Sequence, residues 1–234
     1  MRITYYGHSC FLVQVGNKKL LFDPFITANP KAKSAKINLE TIKPDYILLS
    51  HGHGDHLADA LEIAIQSGAK IIAAYEVAQW FEKQGLEGIG MNTGGKCKFD
   101  FGVLKMVNAV HSSSMPDGSY GGNPVGFVIS NDTSGTFYFA GDTALTMDMK
   151  LIPMMCPRLD FAILPIGDYF TMGYDDAVLA SDFIQCNTII GCHFDTFPPI
   201  KLDHSAAKKA FSESGKTLFL PEISMSFNIK KKTN

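Results

Sequence analysis

The order of apolar and polar positions along the chain predicts a sheet at its start. Clustered apolar residues indicate three strands near the amino terminus, in RITYYG, CFLVQV and KLLFDPF. Gly16-Asn17 lies between the second and the third and is typical of a hairpin turn. These strands are therefore expected to open the fold as a mixed or antiparallel sheet.

A strand–helix–strand order comes next. After a polar loop that carries lysines (ITANPKAKSAKIN), the pattern predicts a strand, a helix and a strand in DYILLS, LADALEIAIQSG and KIIAAY. A unit of this kind crosses over right-handed and brings its second strand back parallel to the first. VAQWFEKQG then predicts a further helix.

The second half of the chain has a similar order. Strands of a second sheet are predicted in LKMVNAV, PVGFVIS and TFYFAG, followed by DFAILPI, a helix at about 175–186, TIIGCH, a helix at about 204–214, and short strands in TLFL and ISMSFNI. We expect an α/β (α+β) fold with two mixed sheets face to face and helices outside, formed by residues 1–234 as a single domain. The last five residues, KKKTN, are expected to form a solvated end.

Composition and charge narrow the classes of function. A hydrophobic fraction of 46% with 19% charged residues is typical of a globular protein. The net charge of -2 provides no basic face for nucleic acid, and no apolar run approaches the roughly 20 residues that span a bilayer. Without a secretory signal, the chain is expected to be cytoplasmic. Five scattered cysteines without a CxxC pair argue against a disulfide framework and a zinc ribbon.

Histidine and aspartate residues follow four of the predicted strands. DYILLS leads into HGHGDH at 51–56, LKMVNAV into His111, TFYFAG into Asp142 and TIIGC into His193. Because ligand sites of α/β sheets lie at the carboxyl ends of strands, we expect these side chains to meet in one cleft. His204 follows a predicted N-cap at the start of the last helix and is interpreted as a surface or capping residue.

Imidazole nitrogens with a few carboxylates suit a transition metal better than calcium. Gly52 and Gly54 separate the donors of HGHGDH and are expected to let this loop fold tightly. Seven candidate ligands are too many for one tetrahedral ion, which favours two divalent ions, zinc first, with manganese, nickel or iron as alternatives. In this interpretation one ion is held by His51, His53 and His111, the other by Asp55, His56 and His193, and Asp142 bridges both.

These residues resemble the metallo-β-lactamase superfamily. HGHGDH, the separate His111, GDT at 141–143 and the late His193 follow the order of its motifs across almost the whole chain. Segments such as YYGHSCFLV, LFDPFITANP and LPIGDYFTMG are more narrowly similar to small bacterial metal-dependent hydrolases related to the ascorbate-phosphate lactonases. The resemblance implies a four-layer αββα sandwich, a dinuclear site with the ligands given above, and an Asp23 that orients a ligand histidine.

The expected function is metal-dependent hydrolysis of a small molecule. Two cations can share a water, lower its pKa toward neutrality and hold the resulting hydroxide next to an ester, lactone or phosphoester. Asp55 and His8 are the candidate catalytic residues, and the resemblance places His8 beside the cleft, where it protonates the leaving group or holds a substrate oxygen. A hydrogen-bonded structural histidine is the alternative for His8. Residues 117–123, 168–172 and 196–198 are expected to line the substrate pocket.

Two other functions stay open at this point. A diiron-type oxidoreductase uses similar ligands, and a metal-binding regulatory protein would capture the ions without turnover. A nuclease is the least favoured, because no basic face is present. The expected partner is a small-molecule substrate, without nucleic acid or membrane, and the sequence leaves open whether the chain forms a homo-oligomer.

Overall fold

A computed structural model describes residues 1–232 of the chain. Its strands are β1 (Arg2–Gly7), β2 (Cys10–Val15), β3 (Lys18–Phe22), β4 (Tyr46–Leu49), β5 (Lys70–Ala74), β6 (Gly88–Met91), β7 (Lys96–Phe99), β8 (Gly102–Asn108), β9 (Val125–Asn131), β10 (Gly135–Phe139), β11 (Phe161–Pro165), β12 (Thr188–Cys192), β13 (Thr217–Phe219) and β14 (Ser226–Asn228). Its helices are α1 (Pro30–Ser34), α2 (Gly54–Leu57), α3 (Ala60–Ser67), α4 (Tyr75–Glu82), α5 (Ile152–Met155), α6 (Tyr174–Phe183) and α7 (His204–Glu213). Short 3-10 turns lie at Leu39–Thr41, Met147–Leu151 and Pro198–Ile200.

The strands form two seven-stranded sheets, with the orders β14-β1-β2-β3-β4-β5-β6 and β13-β12-β11-β10-β9-β8-β7. In the first sheet β1, β2 and β3 pair antiparallel, whereas β3 to β6 run parallel. In the second sheet β7 to β10 pair antiparallel and β10 to β13 run parallel. Both sheets are therefore mixed, as the sequence predicts.

Alternation along the central strands produces four layers. In β4, Tyr46 and Leu48 point into the core between the sheets, whereas Ile47 and Leu49 pack under the helices of the first sheet. In β11, Phe161 faces the other sheet, and Ala162 faces the helices outside the second sheet. Because successive side chains of a strand point to opposite faces, strands that are apolar throughout bury both faces. The result is the αββα sandwich that the resemblance implies.

The sequence pattern missed the strands β6 and β7 and the helices α1, α2 and α5. In β6, Gly88 and Gly90 look like breaks, but they let α4 lie close to the sheet. A Cβ at Gly88 would come within 2.9 Å of the Ala78 carbonyl oxygen, and one at Gly90 within 2.9 Å of the Tyr75 ring. β7 was missed because its sequence, KCKF, contains two lysines and lacks an apolar pattern. Lysines are common on strands at the exposed edge of a sheet, where β7 lies.

The chain's carboxyl end is partly held down. The Lys231 ammonium donates to the carbonyl of Asp132 (2.8 Å), and the Lys232 amide donates to the Asp160 carboxylate (2.6 Å). Lys230 and Lys231 are exposed, as the prediction of a solvated end requires, whereas Lys232 is half-buried; residues 233–234 lie outside the described part of the chain. No helix within residues 1–232 has both the length and the apolar character needed to cross a membrane.

We predict that Phe22→Ala destabilises the protein by about 3–5 kcal/mol. The Phe22 side chain is fully buried, and its ring lies 4.7 Å from the ring centre of Phe139 and 5.8 Å from that of Phe137, both in the opposite sheet. Urea unfolding followed by circular dichroism measures the change. Leu179→Ala, at a side chain that is 49% exposed on α6, is the control and should stay within about 0.5 kcal/mol. Equal stability of the two variants would contradict this account of the core.

Candidate metal centre

The seven predicted ligands come from the ends of strands in both sheets. His51 lies two residues after β4, and His111, Asp142 and His193 follow β8, β10 and β12. The other three belong to α2 or its cap: His53 is the N-cap residue, and Asp55 and His56 lie within this single turn. His51, His56, Asp142 and His193 are buried, whereas His53, Asp55 and His111 are partly exposed. The structure thus brings all seven to one end of the sandwich.

One group of donors consists of His51, His53 and His111. One ring nitrogen from each lies within 4.8 Å of those of the other two. The Nε2 atom of His51 and the Nδ1 atom of His53 are only 3.0 Å apart. Ligands about 2.0 Å from a tetrahedral ion stand about 3.3 Å from one another. The spacing of this group therefore fits a single ion.

A second group consists of Asp55, His56 and His193. The Asp55 Oδ2 atom lies 3.8 Å from His56 Nε2 and 3.9 Å from His193 Nε2. His8 joins the same group, because its Nε2 atom lies 3.2 Å from Asp55 Oδ2. His8, which the sequence places beside the cleft, thus contacts the second group through Asp55, and its other ring nitrogen contacts the Thr196 hydroxyl.

Asp142 lies between the two groups. Its Oδ2 atom is 3.1 Å from His56 Nε2, 3.0 Å from His193 Nε2 and 3.7 Å from His111 Nε2. Its Oδ1 atom is buried and has no hydrogen-bond partner. Burial alone would raise the pKa of Asp142. The His193 and His56 rings have the larger, opposite effect, so that the pKa of Asp142 is well below its usual range. The carboxylate is therefore ionised, and its Oδ2 atom lies within 3.7 Å of imidazoles from both groups.

Asp23 determines the tautomers of two histidines. A carboxylate only accepts hydrogen bonds, so His56 Nδ1–H (2.8 Å) and the Ser50 hydroxyl (2.6 Å) both donate to Asp23 Oδ2. With its proton committed to Asp23, the Ser50 hydroxyl accepts from His51 Nδ1–H at 2.9 Å. The Nε2 atoms of both rings are thereby left as acceptors. The contact of Asp23 with His56 agrees with the orienting role that the resemblance implies.

This donor set fits bound metal cations. With its Nδ1 proton on Asp23, neutral His56 directs an Nε2 lone pair at the lone pairs of Asp142, and the Nε2 atom has no hydrogen-bond partner. Two acceptors at this separation repel each other in a buried site, and a cation between them makes the contact favourable. Burial alone would lower the pKa of His56. Asp142 and Asp23 have the larger, opposite effect, so that the pKa of His56 is well above its ordinary value. The pocket thus attracts positive charge, from a proton or from a metal that displaces it.

The loop after His111 supports the loop that carries the ligands. The Gly52 amide donates to Ser113 Oγ at 3.1 Å, and the Ser113 hydroxyl donates to the Gly121 carbonyl at 2.8 Å. A Cβ at Gly52 would lie 2.9 Å from the Ser114 carbonyl oxygen, which is backbone and cannot easily move aside, so glycine is required for this approach. Gly54 has no atom within 4 Å of its Cβ position, so tight packing does not explain it.

A cleft of about 380 Å³ opens above the partly exposed donors. Its walls include Ser112, Phe170, Phe197 and Pro199 beside five of the predicted ligands. Phe170 and Phe197 belong to segments that the sequence predicts to line the pocket. Residues 117–123 do not line this cleft; Asp117 instead accepts a hydrogen bond from the Trp80 indole at 2.8 Å. Pro199 was missed, and no sequence signal distinguishes it from an ordinary loop proline.

Sequence comparison agrees with this arrangement. The family model described as the β-lactamase superfamily domain matches residues 2–193. The chain belongs to the metallo-β-lactamase superfamily. It is 53% identical over 229 residues to a UPF0173 metal-dependent hydrolase of Christiangramia forsetii, covering 98% of this chain and all of that one. A second protein of that name, from Methylacidiphilum infernorum, is 51% identical, covering 91% of this chain and 93% of that one.

A solved structure extends the comparison. Igni18, a metallo hydrolase of the archaeon Ignicoccus hospitalis, superposes with a TM-score of 0.86 at 33% identity, covering 98% of this chain and 99% of that one. With relatives this similar over nearly their full lengths, the chain is an enzyme of the metal-dependent hydrolase type. The relation to the ascorbate-phosphate lactonases stays a prediction.

We predict that Asp23→Asn weakens metal binding about 10- to 100-fold. The amide has the same size and suits the φ of +40° at this position, but it cannot accept from both His56 and Ser50 on one anionic oxygen. Competition with a chromophoric chelator measures the affinity. Asp132→Asn, in an exposed turn, is the control for the same chemical change. Unchanged affinity in Asp23→Asn, with a native circular dichroism spectrum, would contradict the orienting role.

Proposed function

We propose that this enzyme holds two divalent cations, zinc first, and hydrolyses a small ester, lactone or phosphoester. The position of the Asp142 Oδ2 atom carries the proposal, because this atom lies within 3.7 Å of imidazoles from both donor groups. A carboxylate placed in this way supports a pair of ions rather than two separate sites. Bound there, the cations would lower the pKa of water and polarise the oxygen of the bond to be cleaved.

The chain's own residues favour water as the nucleophile. Ser112 is the serine of the cleft, and its Oγ atom is 3.5 Å from His53 Nε2, too far for an activating hydrogen bond. The other ring nitrogen of His53 faces His51 within the first donor group. His53 is therefore committed to the metal centre and does not serve Ser112 as a general base. Within the described residues, this cleft holds no activated serine.

Asp55 connects the metal centre to His8. Burial and His193 lower the pKa of His8, despite the opposing effect of Asp55, to about 4, so the ring is neutral near pH 7. His8 Nε2–H then donates to Asp55 Oδ2 at 3.2 Å, and Nδ1 accepts from the Thr196 hydroxyl at 2.8 Å. This hydrogen bond turns one carboxylate oxygen of Asp55 toward the second donor group. We assign His8 as a positioning residue for Asp55.

We expect purified enzyme to bind two metal ions per chain and to turn over at least one member of a panel of esters, lactones and phosphodiesters. His53→Ala and Asp142→Ala should reduce turnover to background while preserving the circular dichroism spectrum. Chelator should remove activity and added metal restore it. These variants lose donors from the first group and from the bridging position, respectively.

His204→Ala is the matched control for these histidine and aspartate variants. His204 starts α7, next to the N-cap Asp203, and pairs with Asp195 at the surface (2.6 Å), which agrees with its interpretation as a surface residue. Its loss should leave metal content and turnover unchanged. Full activity of either site variant, or one ion per chain, would overturn the dinuclear proposal. Visible absorbance of bound iron with oxygen consumption would favour the oxidoreductase alternative.

His8→Asn is expected to weaken one of the two metal-binding steps about 10- to 100-fold and to leave the other intact. Asparagine tolerates the φ of +55° at this position, but it is too short to contact both Thr196 and Asp55. Isothermal titration resolves the two steps. Thr196→Val, which removes only the hydroxyl, should have a smaller effect in the same direction. Equal weakening of both steps would show a general structural role instead.

A further inference from the structure

We propose that the cleft selects uncharged carboxylic esters or lactones that carry an apolar group beside the scissile bond. This inference rests on the proposed function and names the substrate class of the same site. The floor of the cleft consists of the metal-binding side chains, and an apolar wall stands beside them, formed by Phe170, Phe197 and Pro199. A polar floor with an apolar wall matches a substrate with one polar reacting group and one apolar substituent.

Phe170 is held beside the metal centre by the backbone. It lies in a turn in which Asp168 and Tyr169 both have φ near +61°, a conformation that is rare for residues other than glycine. The Met172 carbonyl accepts from the Asp168 amide at 3.3 Å and closes this turn, and the Met172 amide donates to the carbonyl of Thr143 at 3.0 Å. Thr143 directly follows the bridging candidate Asp142. The strained turn is thereby tied to the metal centre, and it leaves the Phe170 side chain 49% exposed at the cleft.

Phe197 is positioned by contacts with residues from the amino-terminal part of the chain. It follows Thr196, whose hydroxyl contacts His8, and its ring packs edge-on against His8 with the ring centres 5.7 Å apart. The Phe25 ring lies beside it at 6.3 Å. Both aromatic rings are therefore positioned by residues adjacent to the metal centre, which gives the apolar wall a defined distance from the reacting atoms.

The residues that line the cleft include no lysine or arginine. A binding site for a substrate carboxylate or phosphate beyond the metal ions would normally supply such a side chain. Lys31 and Lys201 line a neighbouring cleft that shares only Phe197 with the first. A charged substituent would therefore lose water against the apolar wall without gaining a cationic partner.

The test uses metal-loaded enzyme and 4-nitrophenyl esters of increasing acyl length, from acetate to butyrate and hexanoate. If each added methylene is buried against the apolar wall, kcat/KM should rise up to about four-fold per methylene. The 4-nitrophenyl hemisuccinate, which ends in a carboxylate, should react more slowly than the butyrate ester of similar length. Phe170→Ala and Phe197→Ala should both flatten the dependence on acyl length.

Phe219→Ala is the matched control, because Phe219 is also an exposed phenylalanine, at 43% against 49% for Phe170, but does not line the cleft. It should keep the wild-type dependence. Saturation-transfer NMR with hexanamide provides a readout without turnover, and its signal should fall in the Phe170 and Phe197 variants. A flat chain-length series, a faster hemisuccinate, or turnover of phosphodiesters alone would overturn the selectivity and leave the proposed function standing. Metal-loaded enzyme that hydrolyses none of these substrates would overturn the proposed function itself.

Discussion

The hydrogen bond from His56 to the buried Asp23 carboxylate is the interaction on which the metal centre depends. Asp23 accepts the Nδ1 proton of His56 directly and fixes that of His51 through the hydroxyl of Ser50. The Nε2 lone pair of His56 then faces the buried Asp142 carboxylate, whereas that of His51 lies 3.0 Å from His53 Nδ1, which can donate to it. In a buried site the contact between His56 and Asp142 is costly until positive charge enters. In this chain the attraction of the site for a cation thus has a local cause in one carboxylate that accepts hydrogen bonds.

The sandwich turns this local chemistry into a site of fixed geometry. β4 belongs to one sheet and β10 and β12 to the other, so the donors at their ends keep their separation only if the two sheets keep theirs. That separation is set by the aromatic core between the sheets, where the Phe22 ring of the first sheet packs against Phe139 of the second. Close packing makes the core resistant to deformation. The core therefore serves the metal centre as well as stability.

The parts of this arrangement that were predictable from sequence are those encoded locally. The apolar run in DYILLS predicts the strand β4, and the spacing of HGHGDH predicts donors that the structure brings together, whereas the short helix α2 within this motif was not predicted. Where the meaning of a residue depends on a distant partner, prediction fails. Gly88 belongs to a strand because α4 packs over it, and Asp117 accepts a hydrogen bond from Trp80, which lies 37 residues away. Neither relation leaves a mark in the local pattern.

His8 shows the same limit within the site itself. From sequence, a histidine beside a cleft is equally consistent with a proton donor and with a structural residue. A donor to the leaving group has to reach the substrate, directly or through one water. The His8 side chain is fully buried, and both ring nitrogens are engaged, one by Asp55 and the other by Thr196, which lies 188 residues further along the chain. With no free ring nitrogen directed at the cleft, His8 has the geometry of a positioning residue for Asp55, which is the role we propose.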